Sequence, residues 1–189
     1  MLLASFLGVI EPSKSPWAAP TFIIYWSSKP RMVVDYREIA ISNKFLLPKQ
    51  EDILQALVRS RWLSTLNALT SFTQLEMDPK EWEKLLFQTH QGLWQFIQMP
   101  FRYKNGPSMF QWVMQNVLAP FLWIFTLVYI DDIVIFSWSF KDHLSHLDQV
   151  FKAVAKTRIT LTTTKCHFTY QSLLLFRQKV SYLGLSTHM

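Results

Sequence analysis

The sequence predicts an α+β fold: a mostly antiparallel sheet backed by two helices, with a β-rich lobe near the N-terminus. Three observations lead there. Two β-rich runs, Thr126 to Ile130 and Ile133 to Phe136, flank Asp131 and Asp132, which reads as a tight hairpin with the aspartates at its tip. Apolar stripes at helical spacing lie on both sides of that hairpin. Strands and helices interleave without a regular strand–helix repeat, and the chain has only 4 Gly and no Gly-rich phosphate loop, so dinucleotide-binding and P-loop architectures are disfavoured.

In chain order, Glu11 to Pro20 holds three prolines and reads as an extended or turning lead-in. Thr21 to Trp26 is β-rich, Ser27 to Pro30 a turn, and Arg31 to Tyr36 the return strand. On the residues alone, Arg31 is a solvated turn charge. Gln50 to Val58 sets Ile53, Leu54, Leu57 and Val58 on one helical face. Trp62 to Leu66 is a strand ending at Asn67. Asp78-Pro79-Lys80-Glu81 is a helix start: Asp78 caps, Pro79 fits the first position, and Glu81 completes a capping box. Leu85 to Thr89 and Leu93 to Ile97 form a hairpin across His90-Gln91-Gly92.

A helix follows near Pro107, with Phe110, Val113, Met114, Val117 and Leu118 as its buried stripe and Gln111 off it, facing a groove. After the hairpin, Ser139 and Asp142 cap a helix whose predicted buried face is Leu144, Leu147, Phe151 and Val154. His143 and His146 stand beside Asp142 and read as solvated polar-face residues rather than metal ligands. The tail, Ile159 to Ser186, is β-rich around a Thr162 to Lys165 turn.

Adjacent carboxylates repel each other, and a divalent cation relieves the repulsion. Oxygen-only ligands suit magnesium or manganese. Asp-Asp at a turn is common, but a turn needed only for solubility would not require apolar strands on both sides. With 189 residues, half of them hydrophobic, the chain can bury a core and is not disordered. A net charge of +6 suggests nucleic acid or another anionic partner. The single cysteine, Cys166, excludes an intrachain disulfide and a multi-cysteine metal cluster. Met1 to Ile10 lacks the basic start of a signal peptide. Val117 to Phe136 is long enough to span a bilayer, but it contains Pro120 and two central aspartates, each costing about 2.5–3.5 kcal/mol there, so no membrane span is expected.

An ordered series of segments resembles the reverse transcriptase domain of gypsy-type LTR retrotransposon Pol polyproteins. It opens with Pro12-Ser13-Lys14-Ser15-Pro16-Trp17-Ala18-Ala19-Pro20, passes Val34-Asp35-Tyr36-Arg37, Leu46-Leu47-Pro48, Gln98-Met99-Pro100-Phe101 and Asn105-Gly106-Pro107, and reaches Tyr129-Ile130-Asp131-Asp132. His143-Leu144, His146-Leu147, Lys165-Cys166 and Leu183-Gly184 close it. The resemblance implies the fingers and palm of a right-hand polymerase, with fingers at 1–62 and 79–98 and palm at 63–78 and 99–189. It ends near Gly184, so thumb, RNase H and integrase segments are expected to be absent. It implies RNA-directed DNA polymerase chemistry, with two magnesium (or manganese) ions held by three carboxylates. Asp131 and Asp132 would supply two of these. Arg31 would pair with the triphosphate of the dNTP, Phe72 would block a ribose 2′-hydroxyl, and Phe101 and Gln111 would complete the nucleotide- and template-facing segment. Lys165 would protonate the leaving pyrophosphate. The implied partners are an RNA/DNA template-primer and dNTP, without a membrane, in the cytoplasm or nucleus; oligomeric state is not specified.

The sequence departs from the family at the third carboxylate. Asn67 stands where the first catalytic aspartate belongs, offering one neutral oxygen, which should weaken the metal sites. A loss of about 4 kcal/mol of transition-state stabilisation means roughly a thousandfold in rate. Arg102 replaces a usual glycine, Tyr25-Trp26-Ser27 a basic run, and Leu185 a usual histidine. The expectation is an inactive, degenerate domain. The alternative is a non-catalytic nucleic-acid-binding remnant, or a retroelement relic with no function.

Overall fold

The structure, a computed structural model, describes all residues except 1–7, 17, 27–28, 37–44, 59, 69–70, 102 and 188–189; the side chains of Trp26, Lys29, Arg31, Ser71, Phe72 and Thr187 also lie outside the description. In chain order the elements are β1 (Ile10–Pro12), β2 (Thr21–Trp26), β3 (Lys29–Val34), α1 (Gln50–Leu57), β4 (Trp62–Asn67), α2 (Pro79–Trp82), β5 (Leu86–Thr89), β6 (Gly92–Phe96) and α3 (Gly106–Val117). They continue with β7 (Thr126–Tyr129), β8 (Asp132–Ser137), α4 (Phe140–Ala155), β9 (His167–Tyr170), β10 (Ser172–Leu175), β11 (Gln178–Ser181) and β12 (Gly184–Thr187). The chain divides into two compact units, Met1–Lys44 with Thr70–Pro107, and Phe45–Leu69 with Ser108–Met189.

The first unit is β-rich. β2 and β3 form an antiparallel ribbon in which Arg31 pairs with Ile24. β3 starts at Lys29, two residues before the predicted return, so Lys29 and Pro30 belong to the strand; Ser27 and Ser28 lie outside the described residues. A second sheet has the order β1-β6-β5. In its hairpin Thr89 pairs with Gly92, so the loop is His90-Gln91 and Gly92, at φ 120°, already opens the return strand. α2 is a single turn. Asp78 accepts from the Lys80 amide and Pro79 sits in the first turn, as predicted. Glu81 does not close a capping box: both its oxygens accept from Lys84 Nζ, at 2.8 and 2.9 Å. Three residues along a helix, that ammonium is a stronger donor than the capping residue's amide.

The second unit is built on a four-stranded antiparallel sheet, order β7-β8-β4-β9. β4 is central, and Leu63, Ser64, Thr65 and Leu66 are all buried. Side chains alternate across a sheet, so the β4–β8 register sorts its two faces. Leu63, Thr65 and Asn67 share one face with Phe136, Val134 and Asp132. There Leu63, Leu127 and Val134 pack with Ile53, Leu54 and Leu57 of α1 and with Leu173, Leu175 and Val180 of β10 and β11. Ser64, Leu66, Ile133, Ile135 and Ser137 occupy the other face, against α4.

α4 corrects the sequence reading. Ser139 caps it, accepting from the Asp142 amide at 3.1 Å. Its buried residues are His143, Leu147, Val150 and Val154, whereas Leu144 is 50% and Phe151 38% exposed. Both sets fit helical spacing; polarity under the helix decides between them. Ser64 Oγ lies 2.7 Å from His143 Nε2, and Ser137 Oγ lies 2.8 Å from His143 Nδ1 and 2.8 Å from His146 Nδ1. His146 also stacks on Phe125 at 3.8 Å. Neither histidine is a solvated polar-face residue. Burial, aided by the nearby His146, pushes the His143 pKa down from 6.5 to about 4.

The stretch 117–136 comprises the end of α3, a turn, β7 and most of β8. Among the described residues no helix is long and apolar enough to cross a membrane.

Candidate functional site

The carboxylate hairpin is shifted one residue from its predicted form. Tyr129 pairs with Asp132, so the two-residue tip is Ile130-Asp131 and Asp132 opens β8. Ile130 has φ 53°, while Asp131 has no positive φ. Positive φ at the first tip position alone is the pattern of a II′ turn, normally given to glycine. A β-branched side chain there is strained.

Gln111 of α3 holds that strain in place. It is fully buried. Its Nε2 donates to the Val128 carbonyl at 2.8 Å, and its Oε1 accepts from the Ile130 amide at 2.6 Å. The expected groove-facing Gln111 is therefore corrected: the side chain clamps the backbone on the approach to the tip. Phe110, Met114 and Leu118 bury the predicted stripe around it. Read as lying off that stripe, Gln111 carried no sequence signal of this role.

Asn67 ends β4 directly opposite Asp132. Its Nδ2 donates to Asp132 Oδ1 at 2.8 Å. The amide presents its NH₂ because an ionised carboxylate can only accept. The Ala68 amide donates to the Asp131 carbonyl at 3.0 Å, tying the tip to the end of β4. The Asn67 carbonyl accepts from the Thr162 amide at 2.8 Å. Thr162 leads into the short 3₁₀ turn Thr163–Lys165, which carries the exposed Lys165. Tyr129, on the same face as Asp132, accepts from Gln50 Nε2 at 2.9 Å and meets Phe176 edge-on at 4.7 Å. Asn67, Asp131 and Asp132 are half-buried.

Thus the structure brings Asn67, Asp131, Asp132 and Gln111 together, with Lys165 on the adjoining turn. Arg31, Phe72 and Phe101 belong to the first unit. The Arg31 and Phe72 side chains lie outside the described residues, as does Arg102. Phe101 is 38% exposed after Pro100.

Two carboxylates are present, and the third position is an amide whose donor face is turned onto one of them. Among the described residues no group of three or more His, Cys, Asp or Glu could hold a metal ion.

Central antiparallel sheet, helices on its faces and an acidic hairpin at its end make this an α+β polymerase fold. A foamy viral protease–reverse transcriptase solved in complex with double-stranded DNA superposes with a TM-score of 0.88 at 20% identity, covering 98% of this chain and 33% of that one. Residues 25–187 match the reverse transcriptase (RNA-dependent DNA polymerase) family, and the chain belongs to that family. It is 36% identical over 186 residues to the retrovirus-related Pol polyprotein from transposon 297 of Drosophila melanogaster, covering 94% of this chain. It is 28% identical over 187 residues to that from transposon gypsy of the same organism. The chain spans only 17% of the length of each of these relatives.

Proposed function

We propose that this chain is the polymerase domain of a retrotransposon-type reverse transcriptase in which nucleotidyl transfer is lost or nearly so, while template–primer and nucleotide binding persist. The observation that carries the reading is the Asn67–Asp132 hydrogen bond. A carboxylate at position 67 would repel Asp132 unless a cation lay between them. The amide instead satisfies Asp132 directly and removes the need for that cation. Magnesium or manganese binding is weak in this reading.

Arg31 pairs with a triphosphate, Phe72 and Phe101 face nucleotide and template, and Lys165 faces the leaving group. The regions 1–62 and 79–98 act as fingers, and 63–78 and 99–189 as palm. Nucleic-acid binding is supported by the net charge of +6 and by the foamy viral relative solved on an RNA/DNA hybrid. The same charge favours a second reading, a purely nucleic-acid-binding remnant.

Primer extension on an RNA template tests the proposal, comparing the unmodified chain with Asn67→Asp in magnesium and then manganese. The expected result is no extension by the unmodified chain and a weak gain for the variant. A full aspartate set is worth roughly a thousandfold in rate, but Arg102 still departs from the family. Robust magnesium-dependent extension by the unmodified chain overturns the claim of lost transfer.

A further inference from the structure

We propose that the cavity at the other end of β4, next to Arg61 and Trp62, binds a small phosphate-bearing anion. It lies five strand residues from Asn67, roughly 17 Å away. The inference does not rest on the catalytic fate of the Asn67 end.

The cavity has a volume of about 530 Å³ and is lined by Arg61, Trp62, Ser172, Lys179, Ser181 and Tyr182, among others. That volume lies within the usual range for small-molecule sites. No lining residue is acidic. Among the described residues neither Arg61 nor Lys179 pairs with a carboxylate. Two uncompensated cations therefore face one concave space.

Arg61 is also held in position. Its guanidinium carbon lies 5.7 Å from the centroid of the Trp138 ring and 5.4 Å from that of Tyr182. Those two rings meet each other edge-on at 5.7 Å. Its backbone amide donates to the Ser137 carbonyl at 3.0 Å, fixing the root of the side chain to the end of β8. Ring faces restrain a guanidinium without consuming its in-plane N–H donors. An oriented fork with unspent donors, beside a second cation and the Ser172 hydroxyl, recognises phosphate oxygens bidentately. The cost of ordering a long side chain on binding is already met by the rings.

Calorimetric titration of the full chain tests this, with inorganic pyrophosphate and adenosine 5′-monophosphate as probes and adenosine and chloride at matched ionic strength as controls. Both phosphates are expected to bind and both controls to fail. Tighter binding of the nucleotide would assign the ligand to nucleoside phosphates, and tighter binding of pyrophosphate to free phosphates. Arg61→Ala should weaken binding about 10–100-fold, the range for a charge-assisted contact. Lys179→Ala should weaken it less. Arg61→Lys should not restore it, because the fork is lost. Circular dichroism of each variant separates lost binding from lost folding, and the exposed Lys179→Ala reports if Arg61→Ala fails to fold. The proposal is overturned if Arg61→Ala binds as the unmodified chain does, or if Lys141→Ala on α4 weakens binding equally. Binding of a single-stranded oligonucleotide alone, with neither small phosphate, also overturns it.

Discussion

Lowering the pH from 7.5 to 5 should strip the second unit of much of its stability through one side chain. His143 is fully buried between Ser64 and Ser137. Its pKa is about 4 in the folded chain against 6.5 when unfolded, chiefly from burial and then from the charge of His146. The unfolded chain therefore binds the proton more readily than the folded one. The contribution is complete above pH 6.5 and is lost as the pH falls toward 4. At about 1.4 kcal/mol per pH unit, the fall from 6.5 to pH 5 costs about 2 kcal/mol, a substantial share of a typical domain stability of about 5–15 kcal/mol. His146, also lowered by burial though partly offset by Asp142, acts in the same direction. Urea unfolding followed by circular dichroism at pH 7.5, 6 and 5 measures the loss. In His143→Leu the pH dependence should largely flatten, while stability at pH 7.5 falls because Ser64 and Ser137 lose a partner. Equal stability at pH 7.5 and 5, or an unchanged slope in His143→Leu, would refute the reasoning.

Gln111→Ala should cost about 2–3 kcal/mol in thermal unfolding by leaving the Ile130 amide and the Val128 carbonyl without their partner. Hydrogen exchange at the Ile130 amide should accelerate in the same variant. Arg177→Gly should stabilise by about 0.5–1 kcal/mol, read as a higher melting temperature. Arg177 is exposed at φ 65°, where an L side chain costs about 1–2 kcal/mol and glycine loses part of that gain to unfolded-chain entropy.

The sheet elements were legible because period-two hydrophobicity and turn residues mark them locally. β4, the Asp-Asp hairpin and the Ser139 cap all follow from neighbours within a few residues. The exact phase of the hairpin was not legible. Its tip falls on Ile130-Asp131 because Gln111, distant in sequence, supplies the hydrogen bonds that hold a β-branched residue at positive φ. The burial of His143 was hidden for a related reason. Hydrophobic spacing selects Leu144 and Phe151 equally well, and only Ser64 and Ser137, which reach α4 through the sheet, favour the histidine. The spacing of His143, Leu147, Val150 and Val154 was available in the sequence, but a histidine at its head argued against it. At the site, the end of β4 at Asn67 was readable from the sequence. That its amide would point at Asp132 needed the register between β4 and β8.

The central claim is that Asn67 and Asp132 satisfy each other without a cation. Manganese titration followed by electron paramagnetic resonance measures this directly, on the unmodified chain beside Asn67→Asp. Weak manganese binding is predicted for the unmodified chain, tightening at least about tenfold in the variant, or about 1.4 kcal/mol. Two tightly bound manganese ions on the unmodified chain, or identical affinity in both proteins, would contradict the account.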